Sequence, residues 1–431
     1  MAGKSRIAMI GAGGATFGTL MSYEAMRADG LNGGTLALID INEERLEVTR
    51  AAAERMNEQL GSGMTIESYT DTPRGIEGAD FILLSVEVGR WKHWKEDLEI
   101  PRKYGSRQDM AENGGPGGLF HSLRTINLVL KICEVIEKHN PDAVLINVTN
   151  PLPRVNLAIS RATKLNLLGD CPEFNLGMIR LARFLLMPPE RIAARAWGLN
   201  HFSWINELVD ADSGRDLYPV LDRHIKYFPF MHGKLVRKCY RDFGMYPVSS
   251  DSHIGEYLPS EGPSSRSVLP GWFPYQKFSE FECSLRVRAS KSYGAGRLNL
   301  PLEKFPRAIE GSMKLVEALA TGRQAPINAI NVVNSGLYIP NLPEWAIVEV
   351  PARTENGELI PDSMPPVPEP LLGHMELQTR IQSLIADSVL NRDPELAVDA
   401  LEIDPLSPPT REACKKTFDE IVRLQKYAMP F

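Results

Sequence analysis

Arg6-Ile7-Ala8-Met9-Ile10-Gly11-Ala12-Gly13-Gly14-Ala15-Thr16-Phe17-Gly18 is the stretch that decides how this chain is read. A short apolar run leads straight into glycines, and a helical pattern follows from about Leu20. A strand, a glycine loop and a helix in that order let the backbone approach a pyrophosphate, and the helix N-terminus offers unpaired N–H groups and partial positive charge. The last glycine falls two residues later than in G-x-G-x-x-G, so context has to carry the assignment. Asp40 supplies that context by closing the second apolar run, residues 35–39. A carboxylate there accepts hydrogen bonds from an adenosine ribose and repels a 2′-phosphate. Gly11, Gly13, Gly14 and Asp40 therefore read as holders of NAD rather than NADP. The competing reading is a glycine-rich turn of another α/β fold, with Asp40 as a helix cap.

Working outward, residues 43–60 have helical spacing, and ADFILLSV (79–86) and AVLINV (143–148) read as buried strands. Strands alternating with helices imply βαβ units and a parallel sheet, whose strands, covered on both faces, are almost wholly apolar. The predicted fold is α/β: a Rossmann-like parallel-sheet domain over residues 1–195, then a mixed α+β substrate domain over 196–431. The pattern changes after Trp197 into a Pro-, aromatic- and Gly-rich stretch, 213–277. Residues 351–370 read as a Pro-rich connector and 371–429 as helical.

Composition narrows the function classes. The 431 residues carry a net charge of −6 and are 43% hydrophobic, as in an ordinary soluble globular protein. Mild acidity gives no footprint for nucleic acid, and no apolar run is long enough for a membrane span. Five cysteines without regular spacing fit a reducing compartment, so a cytoplasmic protein is expected. The apolar start reads as a first strand, not a signal peptide.

Five further parts of the sequence carry candidate chemistry. Residues 107–118, RQDMAENGGPGG, put Glu112 and Asn113 before five consecutive Gly or Pro residues, which suggests a loop contacting a ligand, or a plain structural hairpin. Thr149-Asn150-Pro151 follows an apolar strand, at the end where doubly wound sheets bind ligands. Cys171 and His201 are the best metal pair, a thiol and an imidazole suited to Mn or Zn. The segment 247–259, PVSSDSHIGEYLP, gathers Asp251, His253, Glu256 and Tyr257, groups suited to acid–base work. Late in the chain, Asn334 and Asn341 sit in a structured loop from which an amide could reach a polar substrate.

Together these segments resemble the NAD-dependent family 4 glycoside hydrolases, from about Arg6 to Ala352. The carrying residues are GAGGATFG, IDIN, EIPRKYGSRQDMAENGGPGG, TNP, GLNHFSW and NVVNSGLYIPNLPEWAIVEVP. SSDSHIGEY looks closer to the α-galactosidase and α-glucosidase-like branch. The resemblance implies NAD on Gly11, Gly13 and Asp40, with a divalent metal, usually manganese, on Cys171 and His201. Glu112 and Asn150 would line the sugar and cofactor site, with Asn113, Asn200, His201 and Asn334 as further substrate contacts. His253 falls where the family carries its base, with Asp251 as rival. The chain departs from the family where Pro172-Glu173-Phe174 follows the metal-binding Cys171. Either Glu173 or Asp170 takes the acid role, or the metal site is altered.

The implied reaction is hydrolysis of an O-glycosidic bond by transient oxidation at sugar carbon 3, elimination, water addition and re-reduction, an exception to the two-carboxylate pattern. Arg154, Arg180, Arg266, Arg286 and Arg288 are candidates for clamping an anion, which keeps open an acidic sugar (a uronide, a sulfoquinovoside or a phosphate) beside a neutral hexoside. A homodimer or homotetramer is expected by the same resemblance. The rival function is an NAD-dependent dehydrogenase of the lactate and malate type.

Overall fold

A computed structural model describes residues 4–14, 16–259, 275–302 and 311–431. Its frame is one sheet of twelve strands: β1 (Arg6–Ile10), β2 (Thr35–Ile39), β3 (Thr65–Tyr69), β4 (Phe81–Leu84), β5 (Val144–Asn147), β6 (Asn166–Gly169), β7 (Ile192–Leu199), β8 (Phe202–Asp210), β9 (Tyr246–Pro247), β10 (Ala325–Val333), β11 (Ile347–Glu355) and β12 (Glu358–Pro361). The order is β3-β2-β1-β4-β5-β6-β10-β11-β7-β8-β9, with β12 pairing β11. The six strands from β3 to β6 are parallel; the rest pair antiparallel.

The parallel half follows from the period of two along each strand. Ile7, Met9, Leu36, Leu38 and Leu83 enter one hydrophobic layer, while Ala8, Ile10, Ala37, Ile39, Ile82 and Leu84 enter the other. The inner strands β1, β2 and β4 are covered on both faces and have no polar side, whereas the edge strand β3 (TIESY) exposes Thr65 and Ser68. The first helix begins at Phe17, earlier than the periodicity predicts, because its opening turn is the end of the glycine loop.

The two sequence halves share this sheet. β10 joins β6 through Asn331↔Gly169, and β11 joins β7 through Glu349↔Gly198. The C-terminal helices Glu369–Leu390 and Pro394–Ile403 pack on Gly115–His139, and Arg411–Leu424 on Arg90–Lys103. The stretch read as a connector from residue 351 is different: it begins as β11, turns at Asn356-Gly357 and returns as β12. Both turn residues have positive φ (+52° and +85°), the geometry a two-residue hairpin requires. All five cysteines are free thiols, and no described helix is long and apolar enough to cross a membrane.

Candidate active site

One cleft of about 950 Å³ runs along the carboxyl ends of the parallel strands. Gly11, Gly13, Gly14 and Asp40 line one end; Glu112, Asn150, Cys171, Glu173, His201 and His253 line the other. Ligands bind at this end of an open parallel sheet because the strand-to-helix loops and helix N-termini converge there.

The glycine loop is packed too tightly for side chains. A Cβ on Gly11 would lie 1.8 Å from the Ser85 carbonyl oxygen, at φ +90°, and one on Gly18 would lie 1.8 Å from that of Ala12. Thr16 and Phe17 bring the N-terminus of helix Phe17–Arg27 to the cleft, and its first turn has no acidic residue. The dipole is thus left for an anionic ligand. The Gly13 and Asn42 N–H groups each donate to the Asp40 carboxylate at 2.8 Å, which fixes it at the end of β2 with lone pairs to spare. The cradle and the carboxylate fit a dinucleotide.

At the far end, Cys171 Sγ lies 3.3 Å from His201 Nε2, at the ends of β6 and β7. His201 sits at φ +61°, a strained conformation for a non-glycine residue. His201, His253 and Glu256 bring ligand atoms within 4.8 Å of one another, and the His201 and His253 rings meet edge to face at 4.5 Å. Burial pushes the Cys171 thiol well up, and burial together with the nearby His253 lowers His201 to about 4. A neutral thiol and a neutral imidazole in contact are a soft donor pair, and a bound cation takes the thiol as thiolate. Asn113 Nδ2 is 3.3 Å from His201 Nδ1, while its Oδ1 is buried without a partner. Rotating that amide half a turn lets Oδ1 accept from Nδ1–H and leaves Nε2 free to bind a cation. The donor set therefore fits a divalent transition metal.

Charge around this pair is organised by Glu256. Its Oε1 accepts the N–H groups of Glu112 and Asn113, both at 2.7 Å, and its Oε2 lies 3.2 Å from His253 Nδ1. Burial alone would keep His253 neutral, but the Glu256 hydrogen bond and the Glu173 and Glu112 carboxylates raise it to about 9. Burial opposes ionisation of Glu112, yet Arg90, at 2.8 Å, and His253 hold it down to about 2. Glu173 opens helix Glu173–Leu185, directly after Pro172, and pairs with Arg180 at 2.9 Å. Burial acts against its charge, but His253 and Arg180 win and its carboxyl is lowered.

Other candidates lie elsewhere. Asp251 is 3% exposed and accepts the N–H groups of Leu235 and Val236, capping helix Lys234–Phe243; it is not among the cleft residues. Asp170 accepts from the Ser312 hydroxyl at 2.5 Å and is likewise outside the lining. Asn200 donates to the buried Glu349 at 2.8 Å. Asn334 staples its own loop, donating to the Ile339, Leu342 and Pro343 carbonyls, and Asn341 does the same with Val367. Among the arginines, Arg154 is buried, Arg288 is exposed, Arg286 lines the cleft beside Glu282, and Arg266 falls outside the described residues.

Glu87, Arg90 and His121 also line the cleft and were not read from the sequence. Arg90 bridges Glu87 (3.0 Å) and Glu112 (2.8 Å). The strand-end rule that found Asn150 would have found Glu87, three residues beyond β4. His121 carries no such signal, since its place depends on how the glycine run turns into helix Gly115–His139.

Comparison with known proteins agrees with this geometry. The chain is 29% identical over 443 residues to an alpha-glucosidase of Erwinia rhapontici, covering 93% of each chain. It is 26% identical over 461 residues to an alpha-galacturonidase of Lachnoclostridium phytofermentans, covering 99% of this chain and 97% of the relative. Among solved structures it is similar in fold to a 6-phospho-alpha-glucosidase from gut microorganisms, in complex with NAD and Mn2+, with a TM-score of 0.83, 20% identity and 99% of each chain covered. The family 4 glycosyl hydrolase model matches residues 6–187 and the model of that family's C-terminal domain matches 196–407, so this chain belongs to the family 4 glycosyl hydrolases.

Proposed function

We propose that this glycosidase is NAD-dependent and opens an O-glycosidic bond by transient oxidation at sugar carbon 3, elimination, water addition and re-reduction. The observation that supports it most is the single cleft joining the glycine loop and Asp40 to Cys171 and His201. Gly11, Gly13, Gly14, Asp40 and Asn150 would hold the dinucleotide, and Cys171 with His201 the divalent metal. Once bound, the two groups supply reversible hydride chemistry at a sugar carbon and Lewis-acid polarisation of its oxygens. The protein's own part is to place and move protons. His253 and Glu173 both face the cleft, so we assign them as the proton-transfer pair, His253 oriented by Glu256 and Glu173 by Arg180. Asp251 is occupied as a helix cap, which leaves His253 of the two; raised to about 9 beside the lowered Glu173 carboxyl, His253 is poised as the proton donor of the pair and Glu173 as the acceptor. Glu112 is fixed by Arg90 at the mouth of the glycine-run loop, where a carboxylate can accept from sugar hydroxyls.

For substrate we propose a hexoside, with a uronide as the acidic sugar to test first, because alpha-galacturonidases are among the relatives. The test is a panel of p-nitrophenyl glycosides, uronides included, on protein stripped of nucleotide and metal. Release of nitrophenol only after NAD and Mn2+ are restored, with no accumulated NADH, is the expected outcome. Stoichiometric NADH without nitrophenol would identify a dehydrogenase instead.

A further inference from the structure

His121 is 5% exposed and lines the cleft, yet its ring is only half used. Nδ1 lies 2.8 Å from the Glu112 carbonyl oxygen, which only accepts, so Nδ1 carries the proton and donates. Nε2 is then a bare lone pair. It is buried without a hydrogen-bond partner, and Glu87 Oε1, another acceptor, lies 3.6 Å away. Two acceptors facing one another across a cleft gain nothing from each other. Each gains from a donor placed between them.

We propose that His121 Nε2 and Glu87 Oε1 form a two-acceptor clip for an uncharged N–H or O–H group of the bound ligand. The donor is the carboxamide –NH2 of a nicotinamide or a hydroxyl of the sugar, and in this the inference rests on the glycosidase reading above. A carboxamide presents two N–H bonds, one for each acceptor. Burial and the neighbouring Arg124 and Arg90 lower His121 to about 3, so its ring stays neutral and keeps the lone pair. Arg90 holds Glu87 through both carboxylate oxygens, at 3.1 and 3.0 Å, and so aims the second arm.

Glu87→Gln tests the clip. Its amide can donate to Nε2 while its oxygen still accepts from Arg90, so the clip is satisfied from within and closed to ligand. The urea midpoint of this variant is expected to equal or exceed that of the wild type, which simple loss of structure would not produce. If the donor is the carboxamide, titration with NAD shows affinity about ten- to hundredfold weaker. The wild type's preference for NAD over 3-acetylpyridine adenine dinucleotide, which has a methyl in place of the –NH2, also disappears. If the donor is a sugar hydroxyl, NAD affinity holds and the KM of the p-nitrophenyl glycoside rises by a similar factor. His121→Phe is the second variant, with the same ligand losses expected whatever Glu87→Gln does to folding. NAD affinity, analogue preference and KM all within twofold of wild type in both variants would overturn the clip and leave the glycosidase intact. A wild type that neither holds NAD nor cleaves a glycoside would overturn the glycosidase reading, and the clip with it.

Discussion

Replacing Glu256 by alanine removes the brace between the glycine-run loop and the second half of the chain. Its Oε1 accepts the backbone N–H groups of Glu112 and Asn113 at 2.7 Å each, and more weakly that of Gly114 at 3.4 Å, in a buried setting. Hydrogen bonds to a charged acceptor contribute about 1.5–3 kcal/mol each, and a buried donor left bare costs a comparable amount. Glu256→Ala is therefore expected to destabilise the protein by about 3–6 kcal/mol. Glu256→Gln keeps an oxygen for these N–H groups and gives up the Oε2 contacts with His253 Nδ1 and Asn113 Nδ2, for a loss of about 1–2 kcal/mol. Urea denaturation followed by tryptophan fluorescence reads both values, and hydrogen exchange at the Glu112 and Asn113 amides localises the loss. Should Glu256→Ala match Glu256→Gln in midpoint, with those two amides still protected, the brace does not exist and the loop is held by something else.

Three more outcomes follow from the same reasoning. Gly11→Ala puts a Cβ 1.8 Å from the Ser85 carbonyl at a positive φ, so NAD titration should show at least tenfold weaker binding, alongside a lower melting temperature. Arg124 and Asp97 form a buried bidentate pair at 2.7 and 3.0 Å, also held by Gln425; Arg124→Met should cost about 3–5 kcal/mol in urea, and Arg124→Met/Asp97→Leu less than the sum of the singles. His232, hydrogen-bonded to His224 and Tyr246, is lowered by burial, His224 and Arg237 from 6.5 to about 4. Between those pH values the unfolded chain binds the proton and the folded one refuses it. Stability should fall by up to about 3 kcal/mol as pH drops from 6.5 to 4, and the slope in urea should flatten in His232→Gln.

How much of this was legible depends on the range of the interaction. β1, β2, β4 and β5 were readable because a strand buried on both faces must be almost wholly apolar, and residues 7–10 and 36–39 are apolar throughout. Asp40 was readable because a strand end and a glycine loop fix its place locally. The placing of Cys171 beside His201 was suggested by residue chemistry, and it takes the ends of β6 and β7 to bring them to 3.3 Å. What the sequence hid is mostly polar satisfaction. Asp251 and Asn334 have the composition of site residues, but backbone N–H groups of helix Lys234–Phe243 claim the first and carbonyls of its own loop the second. Glu256 and His121 owe their roles to partners more than a hundred residues away or to loop geometry, neither of which leaves a periodic trace. The hairpin at Asn356-Gly357 was marked by its turn dipeptide, and was obscured by the prolines that follow it.

Cleavage of a wild-type substrate in D2O, with the released sugar read by NMR at carbon 2, decides between elimination and direct displacement. Elimination strips the carbon 2 hydrogen and returns one from solvent, so a single deuterium should appear there in every product molecule. A sugar released with its original hydrogen still on carbon 2 would mean that the bond is broken without oxidation at carbon 3, whatever occupies the glycine loop.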